Sequence, residues 1–594
     1  MWCKMPPFFD YGLPRVMNIK QELDTIISNA ISVTAGVKDC QALINYAREE
    51  KFGDYQANGI MAVAKKTGKN PRQLGEEVLG NLDLSGLADK VELAGPGFIN
   101  IHIAPQFLSV KLNTLLHSDQ LIQTTSKHLT VVVDYSSPNL AKEMHVGHMR
   151  GTIIGDALVR IFEQLGHTVI RQNHFGDWGT QFGMLITHMQ ELQQARNDEA
   201  ALANELSDLE VFYRQAKERF DADPEFAKAS RDNVVKLQAG DTECKALWQE
   251  FINISVTHCD QLYRRLGITL TRDDVRPESF YNDRLATVIS ELETRDLITK
   301  SDGASCVFLD EFTSKDGSPL PVIVQKSDGG YLYATTDLAA IEYRNNALHA
   351  DRILYVVDAR QSLHFQQVFR VAELAGYKKE SCSLEHLSYG TMMGSDGKPF
   401  KTRSGGTVKL LELVNEGVAR ALDLVSEKNP DMDESERQAI AEVVGIAAIK
   451  YFELSKNRNS DYVFDWDNML SFEGNTAPYL LYAYARIRSI FRKLDAPEEH
   501  KFIINITEKE EKALALKLLQ LTEVVEQVSL DCFPNQLCLY LYELAGVYMR
   551  FYEACPVLKA DGNARNSRLG LCHLTAATIQ QGLSLLGIST LEKM

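Results

Sequence analysis

His145 and His148, three residues apart with Gly147 between them, are the residues of this 594-residue chain whose types and spacing most readily do chemistry. On the first turn of a helix, side chains three apart share a face. Both imidazoles could then donate to the negative charge that builds on a phosphate during displacement, which stabilises a transition state. Gly147 would leave room for a nucleotide to approach the backbone. The same spacing also suits half of a metal site or an incidental turn. What must position the pair is legible on either side. Thr130 to Tyr135 (TVVVDY) is a β-branched run suited to a buried strand. Ile153, Ile154, Ala157, Leu158, Ile161, Phe162 and Leu165 follow at helical spacing up to Gly166, and Val169 to Gln172 is a further strand. Strand, glycine-containing turn, helix and strand make one βαβ unit of a parallel sheet. Ligands collect beyond the carboxyl ends of such strands, where the helix N-terminus offers free N–H groups to phosphate.

A second group of residues suits the same chemistry. Gly397 to Gly406 (GKPFKTRSGG) is a basic, glycine-flanked stretch whose Lys398, Lys401 and Arg403, with Thr402 among them, could neutralise a departing pyrophosphate. A solvent-exposed basic turn is the plainer alternative.

The length predicts several domains rather than one core. Residues 1–16 lack the features of an export signal and read as an added extension or an alternative start. Residues 17–125 read as a compact α+β module with a strand pair broken by Gly95-Pro96-Gly97, and 126–410 as a sheet domain with a helical insertion at about 189–300. Sheet-like runs at Cys306 to Leu309, Val322 to Gln325 and Ile353 to Val357 are expected to continue the parallel sheet after that insertion. Residues 411–474 form a helical connection, and 475–594 a separate helical domain. The net charge of −17 argues against a surface that clings to nucleic acid everywhere, but leaves room for a local basic track. Ten scattered cysteines without a CxxC pair predict free thiols in a reducing cytoplasm and no structural zinc or other protein-held metal. No apolar run is long enough to cross a membrane.

The stretch DYSSPNLAKEM, Asp134 to Met144, leads directly into the two histidines, and here the chain resembles the arginyl-tRNA synthetases of bacterial type. Their signature is a strand ending in an acidic residue, then SxPN, AK and HxGH. The likeness continues through NHFGDWGTQFG (Asn173 to Gly183), DGGYLYATTDLA (Asp328 to Ala339) and LSKNRNSDYVFDWDNMLSFEGNTAPY (Leu454 to Tyr479). The resemblance implies a multidomain α/β protein. Its parts would be a Rossmann-type parallel-sheet catalytic domain, an N-terminal α+β add-on domain and a C-terminal all-α anticodon-binding domain. It implies ATP as substrate with Mg²⁺, L-arginine and tRNA(Arg) as partners, no membrane partner, a monomer, and activation that waits for bound tRNA.

The resemblance also implies roles for residues. Pro138, Asn139, Lys142, His145, Gly147 and His148 would form the ATP-binding region, and Gly397 to Gly406 a degenerate form of the mobile KMSKS loop. The arginine side chain would lie between Asp134 and Asp337, with Ser136, Asn139, His145, Tyr333 and Gln361 completing the pocket. A planar guanidinium is well recognised by carboxylates held at fixed angles. Tyr333 lies four residues before Asp337, on the same face if that stretch is helical; Asp337 could instead cap a helix. For tRNA, Phe52 and Tyr55 could stack on a base in the N-terminal module. In the C-terminal domain Arg486 and Arg488 supply charge and Tyr548 a stacking ring, although tyrosines at helical spacing more often pack. Two other functions share some of these features: a small-molecule adenylyltransferase, which has no need of the flanking modules, and a non-catalytic tRNA-binding paralogue, which has no need of the histidines.

Overall fold

The computed structural model describes residues 18–140, 142–195, 209–400, 408–494 and 502–594. The expectation for residues 1–16 lies outside them. The first unit begins with α1 (Ile19–Ala35), whose start is capped by the Asn18 side chain accepting from the Gln21 amide. A four-stranded antiparallel sheet follows in the order β1 (Ile44–Tyr46), β2 (Tyr55–Ala57), β4 (Phe98–Ile103), β3 (Ala88–Ala94). The turn between β3 and β4 is the expected Gly-Pro-Gly, with positive φ at both glycines. Helices α2 (Ile60–Thr67), α3 (Pro71–Asn81) and α4 (Pro105–Leu116) complete the unit.

The central sheet has four parallel strands in the order β11 (Ser383–His386), β10 (Arg352–Tyr355), β5 (Thr130–Asp134), β6 (Thr168–Gln172). Helix α5 (Val146–Gln164) joins β5 to β6. The period of two along β5 divides the core. Val131 and Val133 belong to the cluster that holds α5, whereas Val132 faces the other way with Ile353, toward α10 (Asn282–Thr294), α11 (Tyr333–Asn346) and α12 (Ser362–Leu374). Because β6 and β10 lie on opposite sides of β5, the chain order reverses there, and it is beyond such strand ends, here Asp134 and Tyr355, that ligand crevices form in parallel sheets.

One expectation about this sheet is corrected. Of the three later strand-like runs only β10 joins it. The other two, β8 (Ala304–Val307) and β9 (Val322–Gln325), form a separate antiparallel sheet with β7 (Thr299–Ser301). A short apolar run carries no mark of the sheet it will join, because pairing partners distant in sequence leave no local pattern.

Between β6 and β7, the described residues are mostly helical: α6 (Thr180–Ala195), α7 (Leu209–Ala222), α8 (Pro224–Ala239), α9 (Thr242–Leu266) and α10. Beyond residue 408 helices dominate: α13 (Leu410–Lys428), α14 (Glu434–Leu454), α15 (Trp466–Leu470), α16 (Ala477–Leu494), α17 (Lys509–Leu519), α18 (Leu521–Asp531), α19 (Asn535–Ala554) and α20 (Gly562–Leu585). A two-residue strand, β13 (Tyr462–Val463), pairs with β12 (Met392–Met393), the strand that leads into the basic stretch.

These units are joined by buried polar contacts. Arg150 on α5 donates from Nε to Glu453 of α14 at 2.5 Å, and Tyr462 donates to the other oxygen of Glu453 at 2.6 Å. The first unit docks on the last helices: Asn113 of α4 exchanges two hydrogen bonds of 2.8 Å with the backbone of Ile504, and Asn18 donates to Glu526 of α18 at 2.6 Å.

Candidate active site

His145 is the N-cap of α5 and His148 lies in its first turn. Their rings lie side by side, with centroids 4.0 Å apart. Each Nδ1 accepts from backbone: His145 Nδ1 from the Gly147 amide at 3.0 Å, and His148 Nδ1 from the His145 amide at 3.1 Å. An Nδ1 that accepts must be unprotonated, so each neutral ring carries its hydrogen on Nε2. The surroundings favour that neutral form. Burial, then Lys142 and Arg360, lower the affinity of His145 for a proton, and burial followed by the neighbouring His145 pushes His148 down to about 3. The pair is therefore two neutral N–H donors at a helix N-terminus, suited to a phosphate that gains charge. Gly147 is exposed and has a task beyond the one expected. A Cβ there would lie 2.8 Å from Cε1 of His145, so its lack of side chain lets that ring fold back onto the helix end.

The segment before the histidines is held in an unusual turn. Ser136 and Ser137 both take the left-handed region, with φ of 71° and 44°. Ser137 donates through Oγ to Asp134 at 2.8 Å and through its amide to Asn173 at 3.0 Å, while Ser136 Oγ bonds the Tyr263 hydroxyl at 2.7 Å. The Pro138 carbonyl accepts from the Gly176 amide at 3.2 Å, and exposed Asn139 pairs with Gly176 as an isolated bridge. Lys142 is exposed, with its ammonium 4.6 Å from the Tyr213 ring centre.

The NHFGDWG segment thus clamps this turn on one side. On its other side it holds residues 274–279: the Glu278 amide donates to the Phe175 carbonyl at 3.0 Å, and the Ser279 amide to the Asp177 carboxylate at 2.9 Å. The function of that motif, opaque in the sequence, is to weave two loops into one wall.

Tyr333 opens α11 and Asp337 follows one turn later on the same face, so the helical condition is met; the N-cap is Leu332. Tyr333 is 63% exposed at the mouth, whereas Asp337 is mostly buried and accepts from His364 Nε2 at 2.6 Å. Glu278 is the third acidic group, absent from the sequence reading. Burial, with the charges of Asp177 and Asp337, pushes its carboxyl up to about 8, and its charge is felt by Tyr333. It opens a short 3-10 turn, Glu278–Tyr281, that has no apolar periodicity, so its only signal was a Glu after a Pro. Gln361 is exposed at the end of the turn Ala359–Gln361 that enters α12.

Asp134 does not join this group as a free carboxylate. Its Oδ2 is 2.7 Å from Nη2 of Arg344, a residue with no exposed surface, whose Nε also donates to Gln172 at 2.8 Å. A guanidinium is bound there, but it belongs to the protein. The strand-end position alone could not reveal a partner 210 residues away.

Of the basic stretch, Lys398 lies exposed in a tight turn after β12, closed by the Gly394 amide donating to its carbonyl at 2.7 Å. Lys401, Thr402 and Arg403 lie outside the described residues. Two tRNA candidates are corrected. Tyr55 and Tyr548 are each 1% exposed and pack in the core, so neither ring can stack on a base. Phe52 is partly buried under the Lys51 ammonium, 4.8 Å from its ring centre. Arg486 lies over the Tyr552 ring, 5.4 Å from its centre, and Arg488 donates to Glu592 at 2.8 Å. Tyr482, 45% exposed, is the available ring on that helix.

A parallel sheet with a neutral histidine pair at the helix after its first strand, followed by a helical C-terminal unit, has the form of a class I aminoacyl-tRNA synthetase. Residues 111–466 match the family described as tRNA synthetases class I (R), catalytic domain, and 480–594 the DALR anticodon binding domain. Residues 18–103 match the arginyl tRNA synthetase N terminal domain. Among curated proteins, the arginine–tRNA ligases of Marinomonas sp. (strain MWYL1) and Laribacter hongkongensis are 56% and 55% identical, each aligned over 97% of this chain and 100% of its own length. The solved arginyl-tRNA synthetase of Plasmodium falciparum is 31% identical with a TM-score of 0.83, covering 97% of this chain and 99% of its own. That of Thermus thermophilus is 25% identical with a TM-score of 0.81, covering 97% and 100%. The chain belongs to the arginyl-tRNA synthetase family.

Proposed function

We propose that the crevice beyond β5 and β10 carries out both steps of an arginine–tRNA ligase: L-arginine is activated by ATP, then transferred to the 3′ end of tRNA(Arg) in translation. In the first step the arginine carboxylate attacks the α-phosphorus of ATP, a P–O bond forms, and the bond to pyrophosphate breaks. In the second a hydroxyl of the terminal ribose attacks the carbonyl of arginyl-adenylate, and AMP leaves. Neither step requires a protein nucleophile. The observation that carries this reading is the pair of neutral Nε2–H donors of His145 and His148 at a helix N-terminus. They would stabilise charge on the α-phosphate as it becomes five-coordinate, and Lys398, with Lys401 and Arg403, the departing pyrophosphate.

Asp337, Glu278 and Tyr333 would take the guanidinium, while Ser136, Asn139, His145 and Gln361 complete the pocket. Asp134 would act indirectly, through Arg344. Mg²⁺ would enter with the triphosphate; among the described residues no group of three or more His, Cys, Asp and Glu forms a protein cage. The enzyme would act as a cytoplasmic monomer, and no described helix is long and apolar enough to cross a membrane.

ATP–pyrophosphate exchange with each amino acid, with and without tRNA, tests the assignment. Exchange with arginine alone, and only when tRNA is present, is expected. Exchange with a different amino acid overturns the substrate; robust arginine exchange without RNA overturns the tRNA requirement.

A further inference from the structure

The acidic pocket contains a contact that the reaction as described leaves unused. Asp337 gives one carboxylate oxygen, Oδ2, to His364 Nε2 at 2.6 Å. His364 lies in the first turn of α12 and Asp337 one turn into α11, so the bond ties one helix to the other. A neutral imidazole supplies a single N–H there and leaves the carboxylate its full charge. Once the ring takes a second proton, a cation lies against the same carboxylate, and an arriving guanidinium meets a neutralised pair with a like charge at its edge. We propose that His364 is a positioning residue for Asp337, fixing that carboxylate by one hydrogen bond and making arginine capture depend on the charge of the imidazole. This rests on the reading of Asp337 as a guanidinium ligand.

The surroundings make the switch accessible. Burial alone would lower the affinity of His364 for a proton, but the hydrogen bond and charge of Asp337 outweigh it and hold the imidazole above its ordinary range. Tyr333 and Glu278 stand near Asp337 on the pocket side, and buried Tyr355 feels its charge from β10. From β11 comes His386, whose Nε2 is 3.0 Å from the Val357 carbonyl, and at the approach to α12 lies the Asp358–Arg360 ion pair. As pH rises, His364 loses its positive charge and Glu278 gains a negative one. Both changes favour a cationic ligand, so Glu278 needs its own control.

The test is the KM for arginine in tRNA arginylation between pH 5.5 and 9, at saturating ATP and tRNA, on the full chain. Variants are His364→Gln, which keeps an N–H donor at similar reach without titrating, His364→Ala, Glu278→Gln and Asp337→Asn. In Glu278→Gln, where His364 is the group left to compete, the KM for arginine should rise about tenfold per pH unit below the histidine transition, as one competing proton requires. Adding His364→Gln to Glu278→Gln should abolish that limb. His364→Ala should raise the KM for arginine about tenfold at neutral pH, the effect of one lost hydrogen bond, while the KM for ATP stays constant. If the His364→Gln/Glu278→Gln double variant retains the acid limb, or His364→Ala leaves the KM for arginine unmoved while Asp337→Asn raises it, the role of His364 is refuted and the pocket stands. Asp337→Asn without effect on arginine overturns both.

Discussion

Hydrogen-bond direction at two imidazoles, rather than their charge, is what would let the proposed site work at neutral pH. With His148 pushed down to about 3 by burial and by His145, its neutral donor form persists across the whole working range. His148→Ala should therefore lower kcat by ~10² or more, the usual effect of one lost transition-state donor, while the KM for ATP changes little. Rapid-quench measurement of adenylate formation checks this, and a variant altered only in KM would remove His148 from the chemistry. The two carboxylates of the expected pocket now part ways. Asp337→Asn should weaken arginine by about 1.5 to 3 kcal/mol and relax discrimination against citrulline, its neutral isostere. Asp134→Asn should instead leave Arg344 buried beside a neutral partner and destabilise the fold by about 3 to 5 kcal/mol, with the arginine-to-citrulline ratio unchanged. Denaturant unfolding alongside the two KM values separates these outcomes. The histidines were legible from their spacing between a strand and a helix, whereas Tyr333 and Asp337 were reached through the family resemblance, with which their offset of four along one helix agrees. The Asp134–Arg344 pair and Glu278 were not legible, since a long-range ion pair and a single short 3-10 turn leave no periodic pattern.

At the scale of elements, periodicity did most of the work, and it failed where periodicity is silent. The run TVVVD gives β5 its two buried faces, and the apolar positions of α5 recur at helical spacing, so both were readable. The partition of later strands between two sheets depends on pairing alone. So does the short β12–β13 ladder, which ties the strand before the basic stretch to the segment after α14. That ladder leads into the start of the stretch, at a turn where Lys398 is exposed and unencumbered by an ion pair among the described contacts. Lys398→Ala should slow adenylate formation by about tenfold, as loss of one cation facing the pyrophosphate would, with arginine affinity unchanged. If Lys401→Ala slows pre-steady-state activation and Lys398→Ala does not, the working cation lies further along the stretch.

For the whole molecule, the three units that the family resemblance implied are present, and they are docked on one another. The N-terminal unit closes on the C-terminal helices through Asn113 and Asn18, and Lys512 of α17 forms a 2.9 Å ion pair with Asp54. Asn113→Ala would leave the amide and carbonyl of Ile504 without their side-chain partners, and should cost about 1 to 3 kcal/mol in global unfolding. A loss confined to the N-terminal unit, seen as an early separate transition by hydrogen exchange, would mean that the two ends are only loosely docked. Because these partners lie 391 and 508 residues apart in sequence, the docking also imposes an order in time on the newborn chain. The ribosome, adding ~5 to 20 residues per second, must work for roughly 20 to 80 s after Asn113 emerges before Ile504 exists to meet it. Throughout that interval the docking face of the first unit stays bare, so a chaperone or another nascent chain has its best opportunity there, and slower decoding of the later helices would lengthen it.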